Sequence, residues 1–343
     1  PIWSRFFETL GEDVYLAKTM GKSIIMGYQG NANIDKYHVA ACLKHFVGYS
    51  VPSSGRDRTP ALIPNRSLEE LHLPSFKEAI DAGALTVMIN SGEVNGIPGH
   101  ANKYLLTDVL KDKWGFSGFT VSDWEDFINL HKMAQTDSTL KDAIATAINA
   151  GVDMSMVPNN PEYKNYCKLF IELVNERRIS ESRLDDAVRR ILRVKSHLGL
   201  LNKTKIPFSN DYKDFGSDKH RKAAYNAASE SITLLKNNDI LPLSKENKIL
   251  LIGPTANSLN CLNGAWTHTW QGVDENYNND YPTIKEIIEE RFVKVNYFEG
   301  SKMIMKDGDE MDLPSNDLQV AVKSAKFSDV AVVCLGELPS TER

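Results

Sequence analysis

The sequence lacks the features that mark several classes of protein. No run of 18 apolar residues occurs among its 343 residues, so no transmembrane helix is predicted. Basic and acidic residues are interspersed and give a net charge of −5, which argues against a nucleic acid or an anionic membrane as partner. Hydrophobic residues make up 42% and charged residues 25%, as in ordinary folded proteins, so disorder is not expected.

Cysteine is also scarce. The four thiols lie far apart and form no Cys-x-x-Cys pair, so neither a zinc site nor a redox pair is indicated. Cys42 and Cys334 fall inside apolar runs and are predicted to be buried. The acidic cluster from Asp307 to Asp312 lacks the later glutamate of an EF-hand, and we interpret it as a solvated loop. No metal site is therefore predicted.

The first two hundred residues alternate between strand-like and helix-like segments. Ser67 and Glu70 have the spacing of a capping box, which is expected to fix the start of the first helix in this alternation. Repeated strand-then-helix units with short connections predict a parallel sheet, closed as a barrel or open and doubly wound. The predicted strands are 23–26, 40–47, 85–90, 118–122 and 151–156, and the predicted helices are 67–82, 104–113, 139–150, 162–176 and 180–198.

A second pattern begins after a polar stretch. Residues 202–217 are predicted to be a linker, and a helix at 221–231 follows it. The last predicted strand is apolar throughout, as a central parallel strand should be. We therefore predict an α/β protein with one domain at 1–201 and a second α/β layer domain at 218–343. The strands predicted in the second domain are 232–235, 248–252, 293–297 and 329–335.

Asp123 and Trp124 stand at the end of a short apolar strand. In β/α architectures the carboxyl ends of strands carry the catalytic side chains, because the loops there form a cleft. An aspartate beside a tryptophan at such a place suggests a charge that acts next to a flat apolar ligand, such as a sugar ring. The alternative is that Asp123 simply caps the next helix.

Cationic side chains follow another strand. Lys44 and His45 stand at the end of the strand at 40–47, and the charged run Arg56–Arg58 follows a turn rich in glycine, proline and serine. Both strand-end side chains could fix ligand hydroxyls in a cleft. They could equally be structural, with Lys44 paired to a carboxylate and His45 bound to a carbonyl. Arg5 follows Trp3 closely, and such pairs are often surface stacking pairs.

The second domain offers aromatic and acidic candidates. Trp266 and Trp270 bracket a loop and could grip a sugar ring, although either tryptophan could be part of the core. Glu337 and Glu342 lie just beyond the apolar strand at 329–335, at an end expected to face a cleft. Helix-borne acids such as Glu70 are better explained as capping or solvated charges.

Ordered motifs run along essentially the whole chain. Those of the first domain are Phe7-Glu8-Thr9-Leu10-Gly11-Glu12-Asp13, Lys44-His45-Phe46-Val47-Gly48, Thr86-Val87-Met88-Ile89-Asn90, Asn95-Gly96-Ile97-Pro98, Trp114-Gly115-Phe116-Ser117-Gly118 and Ser122-Asp123-Trp124. Those of the second domain are Ile232-Thr233-Leu234-Leu235-Lys236-Asn237, Leu241-Pro242-Leu243, Leu251-Ile252-Gly253-Pro254 and Gly336-Glu337. With them the chain resembles glycoside hydrolase family 3, the β-glucosidase family in which a (β/α) barrel is followed by an α/β sandwich.

The resemblance implies a retaining exo-β-glycosidase that acts on β-linked gluco-oligosaccharides or glucosides. Asp123 is then the nucleophile, which forms a covalent glycosyl-enzyme. The acid/base is implied to come from the second domain, where Glu342 matches best and Glu337 is the alternative. The two carboxylates of such a pair lie roughly 5–5.5 Å apart. The mechanism needs neither a metal nor an organic cofactor.

The resemblance also implies the sugar contacts. Arg5, Lys44 and His45 would hold glycone hydroxyls, with Met88 close by, and Arg58 is a further candidate contact. The neighbouring sugar would be clamped by Trp124 together with Trp270 or Trp266. For the family, a periplasmic or secreted location is plausible, and the sequence itself leaves the location open.

The sequence departs from the family pattern in places. One branch, the β-N-acetylglucosaminidases, carries an Asp-Ser-His acid/base in the loop after the Lys-His strand. The loop at 53–58 here has no histidine, which favours the glucosidase branch. Many members have a tyrosine shortly after the strand of Met88, where this chain reads Asn90-Ser91-Gly92-Glu93.

The chain begins where family members are already partway round the barrel. We therefore expect a fragment that lacks the first barrel strands and an acidic residue of the glycone site, and whose second domain is incomplete at its carboxyl end. Two alternatives to an active β-glucosidase remain open. One is a catalytically incompetent fragment or sugar-binding relic, and the other is a β-xylosidase or another glycone preference with the same mechanism.

Overall fold

The chain folds into two units. The computed structural model describes residues 2–30, 34–35, 37–134, 137–157, 161–202, 214–267, 269–272, 281–306, 309–314 and 317–339. The first unit holds the described residues of 2–202, and the second holds those of 214–339. The domain boundaries at 201 and 218 stay predictions, because residues 203–213 lie outside the described ranges. Within those ranges, no helix is long and apolar enough to cross a membrane.

The first unit is built on a parallel sheet of four strands, which lie side by side in chain order. A short antiparallel hairpin, which is not part of this sheet, lies between the second and third of them along the chain. Since the four strands are parallel, their carboxyl ends meet at one edge. The four strands are β1 (Cys42–Phe46), β2 (Thr86–Ile89), β5 (Phe119–Trp124) and β6 (Met154–Met156), and the hairpin is β3 (Glu93–Val94) and β4 (Ile97–Pro98).

Helices cover this sheet and complete the core. Val87 and Ile89 of β2 and Ile144 and Ile148 of the fifth helix are at most 1% exposed, so the sheet and that helix bury one another's apolar side chains. The helices are α1 (Val14–Gln29), α2 (the continuous segments Asn65–Ser67, Leu68–His72 and Leu73–Asp81), α3 (Tyr104–Lys113), α4 (Asp126–Lys132), α5 (Leu140–Ala150), α6 (Glu162–Asn175) and α7 (Glu181–His197).

The second unit contains a smaller parallel sheet. Its strands β7 (Lys248–Ile252), β8 (Lys294–Phe298) and β11 (Val330–Val333) lie in the order β11-β7-β8. Gly253 follows β7 with a φ of +131°, and a Cβ there would lie 1.9 Å from the carbonyl oxygen of Cys334. Only glycine fits at this position. The other elements are the antiparallel pair β9 (Ser301–Lys306) and β10 (Asp309–Pro314) and the helices α8 (Asp218–Ser231), α9 (Leu259–Asn263), α10 (Ile284–Arg291) and α11 (Leu318–Ser324).

The strand predicted at 23–26 is wrong, because these residues lie in helix α1. The side chain of Asp13 accepts the backbone N–H of Leu16 and caps the start of this helix. A short run with three apolar residues does not by itself distinguish a strand from part of a buried helix face. The capping residue Asp13, upstream of this run, was the signal that could have identified the helix.

The capping box predicted at Ser67 and Glu70 is also wrong. The helix already begins at Asn65, so Ser67 has a helical backbone and its side chain makes no capping bond. Glu70 instead pairs with Arg66, one turn earlier on the same helix, at 2.9 Å. A capping box needs the serine to lie outside the helix, which the spacing alone did not establish.

Two further predictions for apolar runs are wrong. Residues 232–235 form no strand, and Ile232, Leu234 and Leu235 are exposed in the second unit. Cys42 is exposed rather than buried, because only the carboxyl half of β1, with Phe46, is covered. Cys334 is half-buried.

Candidate active site

Asp123 lies at the carboxyl end of β5 and is 7% exposed. Its Oδ1 accepts the backbone N–H of Trp124 at 2.6 Å, and its own backbone N–H donates to Nε2 of His100 at 3.2 Å. The buried Oδ2 has no hydrogen-bond partner among the described residues. One carboxylate oxygen is therefore fixed by the protein, and the other has an unused lone pair with which to act on a bound molecule.

The carboxyl group of Asp123 is held in its ionised form. Burial opposes ionisation, but the pKa lies below its ordinary value because the His45 ring where it carries its proton, the Trp124 amide and the Arg58 guanidinium together outweigh burial. His45 Nε2 lies 3.4 Å from Oδ2. An ionised carboxylate with a free oxygen has the electronic state that a nucleophile requires.

His45 is buried at the end of β1. Burial, with the nearby Arg5 and Lys44 cations, lowers the pKa of His45 to about 3, against the opposite influence of Asp123. The ring is therefore neutral at neutral pH. Its Nε2 lies 3.5 Å from a terminal nitrogen of Arg5, and its ring meets that of Tyr49 edge to face.

Glu8 joins the two cations that were predicted to bind sugar. Nε and one terminal nitrogen of Arg5 bind the two oxygens of Glu8 at 2.7 and 2.9 Å, and Lys44 Nζ binds Oε2 at 2.8 Å. Arg5 is 2% exposed, whereas the Lys44 side chain is 40% exposed. The partly exposed Lys44 side chain is accessible to a ligand, while the buried Arg5 binds Glu8 and lies beside His45.

Asp57 supports this cluster from the loop after β1. Its two oxygens accept hydrogen bonds from Trp3 Nε1 and the Tyr49 hydroxyl, each at 2.8 Å, and Arg5 lies 3.8 Å away. The sequence reasoning did not include Glu8, Tyr49 or Asp57 among the site residues. The position of Asp57 between two arginines was a signal, since a lone acid in a basic run often has a specific partner.

A second cluster surrounds Asp126, three residues after the nucleophile. Arg58, with a left-handed φ of 58°, reaches Oδ1 of Asp126 at 3.4 Å, and the Ser91 hydroxyl donates to Oδ2. His100 Nδ1 lies 3.5 Å from the same carboxyl group. Burial and the charge of Asp123 raise the pKa of Asp126 to about 7. Burial, with Arg58, lowers the pKa of His100 to about 4.

Arg58 thus belongs to the site through Asp126. Ser91, His100 and Asp126 were missed as site residues. Ser91 stands in the run where the family pattern implied a tyrosine, and its hydroxyl binds a protein carboxyl group instead.

Two clefts adjoin these clusters. The larger, of about 670 Å³, has Glu8, Lys44, His45 and Tyr49 in its lining. The smaller, of about 280 Å³, is lined by Arg58, Ser91, His100 and Asp126 among others. No group of three metal-ligating side chains occurs among the residues that the structure describes.

Two further predicted site residues of the first unit are Met88 and Trp124. Met88 is on β2, opposite Val121 of β5 in the sheet register, and Trp124 is 44% exposed beside the nucleophile. Their sugar contacts stay predictions.

Trp266, Trp270 and Glu337 belong to the second unit, and their roles in the site stay predictions. The Trp266 amide donates to the carbonyl of Trp270, and each tryptophan is about half exposed. Glu337 is exposed in the segment after β11. Glu342 lies outside the described residues, so the acid/base assignment stays a prediction.

The two buried histidines are expected to stay neutral over the working pH range. A histidine of the unfolded chain titrates near about pH 6.5. Because the folded pKa values are lower, we expect the stability contributed by these rings to be complete above about pH 6.5 and to fall as the pH is lowered.

NMR should show the ring protons of His45 and His100 unchanged between about pH 5 and pH 8, with the urea-unfolded chain as control and His→Gln variants for assignment. A midpoint near pH 6.5 for either ring would contradict this.

Family models match both halves of the chain. The Glycosyl hydrolase family 3 N terminal domain matches residues 1–194, and the Glycosyl hydrolase family 3 C-terminal domain matches residues 232–343. The chain belongs to glycoside hydrolase family 3. The resemblance and the fold class predicted from the sequence, a TIM-type barrel followed by an α/β sandwich, are thereby confirmed.

Relatives of this family 3 chain carry glycosidase names. The lysosomal beta glucosidase of Dictyostelium discoideum is 42% identical over 100% of this chain and 42% of its own length. The periplasmic beta-glucosidase of Salmonella typhimurium is 33% identical over 98% of this chain and 45% of its own length. The crystal structure of β-glucosidase from Listeria innocua in complex with glucose has a TM-score of 0.83 at 33% identity, covering all of this chain and 45% of that one. The chain thus spans less than half the length of these relatives.

Proposed function

We propose that the protein is a retaining exo-β-glycosidase that removes terminal β-linked glucosyl residues, with Asp123 as the nucleophile. The observation that carries this proposal is the state of Asp123, which is buried, ionised and fixed through one oxygen while the other oxygen is unpartnered. β-Glucosidase relatives across the whole chain support the substrate class.

The proposed reaction has two steps. Asp123 Oδ2 attacks the anomeric carbon and forms a glycosyl ester, while an acid protonates the departing glycosidic oxygen. The same group, now a base, takes a proton from a water molecule that attacks the anomeric carbon and displaces the Asp123 carboxylate, so two inversions restore the configuration. We assign the acid/base role to Glu342, with Glu337 as the alternative, on the family pattern alone.

The proposed substrate contacts divide between the clusters. Lys44 and His45 line the larger cleft and would hold glycone hydroxyls. Arg5 and Met88 are proposed as further glycone contacts on the family pattern. Arg58 would contact the sugar from the cluster around Asp126. Trp124 and, from the second unit, Trp270 would cover the neighbouring sugar, because an aromatic face matches the apolar face of a pyranose.

A second candidate function is β-xylosidase activity. One observation favours it: the Beta-xylosidase of Formosa agariphila is 33% identical over 99% of this chain and 47% of its own length. The mechanism would be unchanged, and only the pocket around the sugar's C5 substituent would differ.

A mechanism-based label tests the proposal. We expect 2-deoxy-2-fluoro-β-glucosyl fluoride to form a stable ester on Asp123. The fluorine at C2 slows both formation and hydrolysis of the glycosyl ester, whereas the good leaving group speeds only its formation, so the ester accumulates. Peptide mass spectrometry should locate the added sugar in the peptide that contains Asp123. The 2-fluoro-xylosyl analogue, used in parallel, separates the two glycone assignments by relative labelling rate.

The control is an Asp123→Asn variant, which should remain unlabelled while folded by circular dichroism. A sugar attached to another carboxylate would rule out Asp123 as the nucleophile. A folded chain that takes up neither sugar would favour the alternative of a catalytically incompetent relative.

A further inference from the structure

Asp126 is a second buried carboxyl group close to the nucleophile, and the proposed reaction does not use it. It lies in the first turn of α4, three residues after Asp123, and is 3% exposed. Its Oδ1 accepts hydrogen bonds from Asn129 Nδ2 at 2.8 Å and from Arg58 at 3.4 Å, and its Oδ2 accepts one from the Ser91 hydroxyl at 2.5 Å. Three donors from three parts of the chain therefore converge on this one side chain.

A carboxyl group at this position is unfavourable by itself. Burial disfavours its charge, and so does the neighbouring carboxylate of Asp123. The convergent donors offset part of this cost. The surroundings are therefore built for a group that accepts hydrogen bonds in several directions at once. An asparagine or an apolar side chain would not satisfy the same set of donors.

His100 connects Asp126 to the nucleophile. The ring nitrogen Nε2 accepts the backbone N–H of Asp123 at 3.2 Å, and because that nitrogen accepts, the proton of the neutral ring must lie on Nδ1. Nδ1 lies 3.5 Å from Oδ2 of Asp126, longer than a normal hydrogen bond but close enough for the N–H dipole to be attracted by the carboxyl oxygen. The ring is 2% exposed, so water does not compete freely for either nitrogen.

We infer that Asp126 is a positioning residue for the nucleophile, which acts by holding His100 in the Nδ1–H tautomer so that Nε2 can fix the backbone of Asp123. The inference rests on the proposed function, in which Asp123 attacks the sugar. The backbone at Asp123 sets the direction of its unpartnered Oδ2, and small errors in the direction of attack cost a large part of the rate.

An Asp126→Asn variant reverses the hydrogen-bond polarity at small cost in shape. Asparagine has one acceptor oxygen, and its amide group donates. When the amide faces His100, the ring is favoured as the Nε2–H tautomer, which then points a donor at the N–H of Asp123. When the oxygen faces His100, the amide confronts the donors Arg58 and Asn129.

The kinetic test measures inactivation by 2-deoxy-2-fluoro-β-glucosyl fluoride. We expect Asp126→Asn to lower the limiting rate constant of labelling at Asp123 by about 10–100-fold, the scale for partners that orient a reacting group, while the half-saturating concentration changes less than about threefold. The limiting rate constant describes only the folded, reactive molecules. A variant that is merely less stable would therefore bind less label in total, but its folded molecules would be labelled at the same rate. Asp142→Asn, a first-turn aspartate of α5, is the matched control and should label at the wild-type rate.

The route through His100 has its own test. His100→Ala should lower the same rate constant, and adding Asp126→Asn to it should lower it by no more than about threefold further, since residues that act as a unit are not additive. In ¹⁵N-histidine-labelled wild type, NMR should show His100 with the proton on Nδ1, and Asp126→Asn should shift it toward Nε2. This measurement needs no activity.

The outcomes are distinct. A wild-type chain that is not labelled at Asp123 overturns the nucleophile assignment and the inference with it. Normal labelling of the wild type and an unchanged limiting rate in Asp126→Asn overturn only the role of Asp126. An Nε2–H tautomer in the wild type, or full additivity of the two variants, likewise overturns the His100 route and leaves the proposed function standing.

Discussion

Asp123→Gly is expected to lower the turnover of an activated β-glucoside by about 10⁴–10⁶-fold, the range over which loss of one member of a catalytic unit acts. The structure gives the reason, because Asp123 is the ionised carboxylate with a free oxygen at the strand ends, and Asp126 is engaged by three donors. Steady-state release of a nitrophenol from its β-glucoside measures the effect. Asp142→Gly, at the partly exposed first turn of α5, controls for loss of an aspartate from the same unit.

Rescue by a small anion is a second test of Asp123 as the nucleophile. In Asp123→Gly the space of the carboxylate is empty, so azide should enter it, attack the anomeric carbon once and restore activity with an activated substrate. A single displacement inverts the configuration, and the product is expected to be the α-glycosyl azide. Rescue with a β-configured product, or an activity loss below about tenfold, would show that Asp123 is not the attacking group.

Asp153→Ala is expected to lower the free energy of unfolding of the first unit by about 3–5 kcal/mol. The side chain of Asp153 is fully buried, binds Lys111 Nζ at 2.7 Å and also pairs with Arg183. Its other oxygen accepts the backbone N–H and the hydroxyl of Thr120 on β5. Without this carboxylate, Lys111 and Arg183 would lose their buried partner and keep Asp186, whose side chain is 41% exposed, at 3.6 and 2.9 Å. Burial already lowers the pKa of Lys111, and we expect the variant to lower it further.

Urea unfolding measures this effect, with hydrogen exchange of the β5 amides reporting on the first unit. Asp185→Ala is the matched control, since Asp185 also pairs with an arginine, at 3.0 Å, but both side chains are more than half exposed. We expect the control to change stability by less than about 1 kcal/mol. Equal losses in the two variants would mean that the buried network contributes no more than a surface pair.

Much of the fold could be predicted from the sequence, because its pattern is local. The helix predicted at 104–113 matches α3, Tyr104–Lys113, and the helix predicted at 180–198 matches α7, Glu181–His197. Periodicity over three or more turns specifies a buried face without knowledge of the partner. The four-residue run at 23–26 was too short for that, and its helix followed from a cap ten residues upstream.

The sequence by itself determined the family, most of the strands and helices of the first unit and the candidate nucleophile, since each depends on residues close together in the chain. Only the tertiary structure decided which groups support Asp123. Glu8, His100 and Asp126 come from separate segments, and their roles follow from distances across strand ends rather than from spacing along the chain. Burial then sets the charge of each group, because a pKa depends on the solvent and the charges that folding places around it.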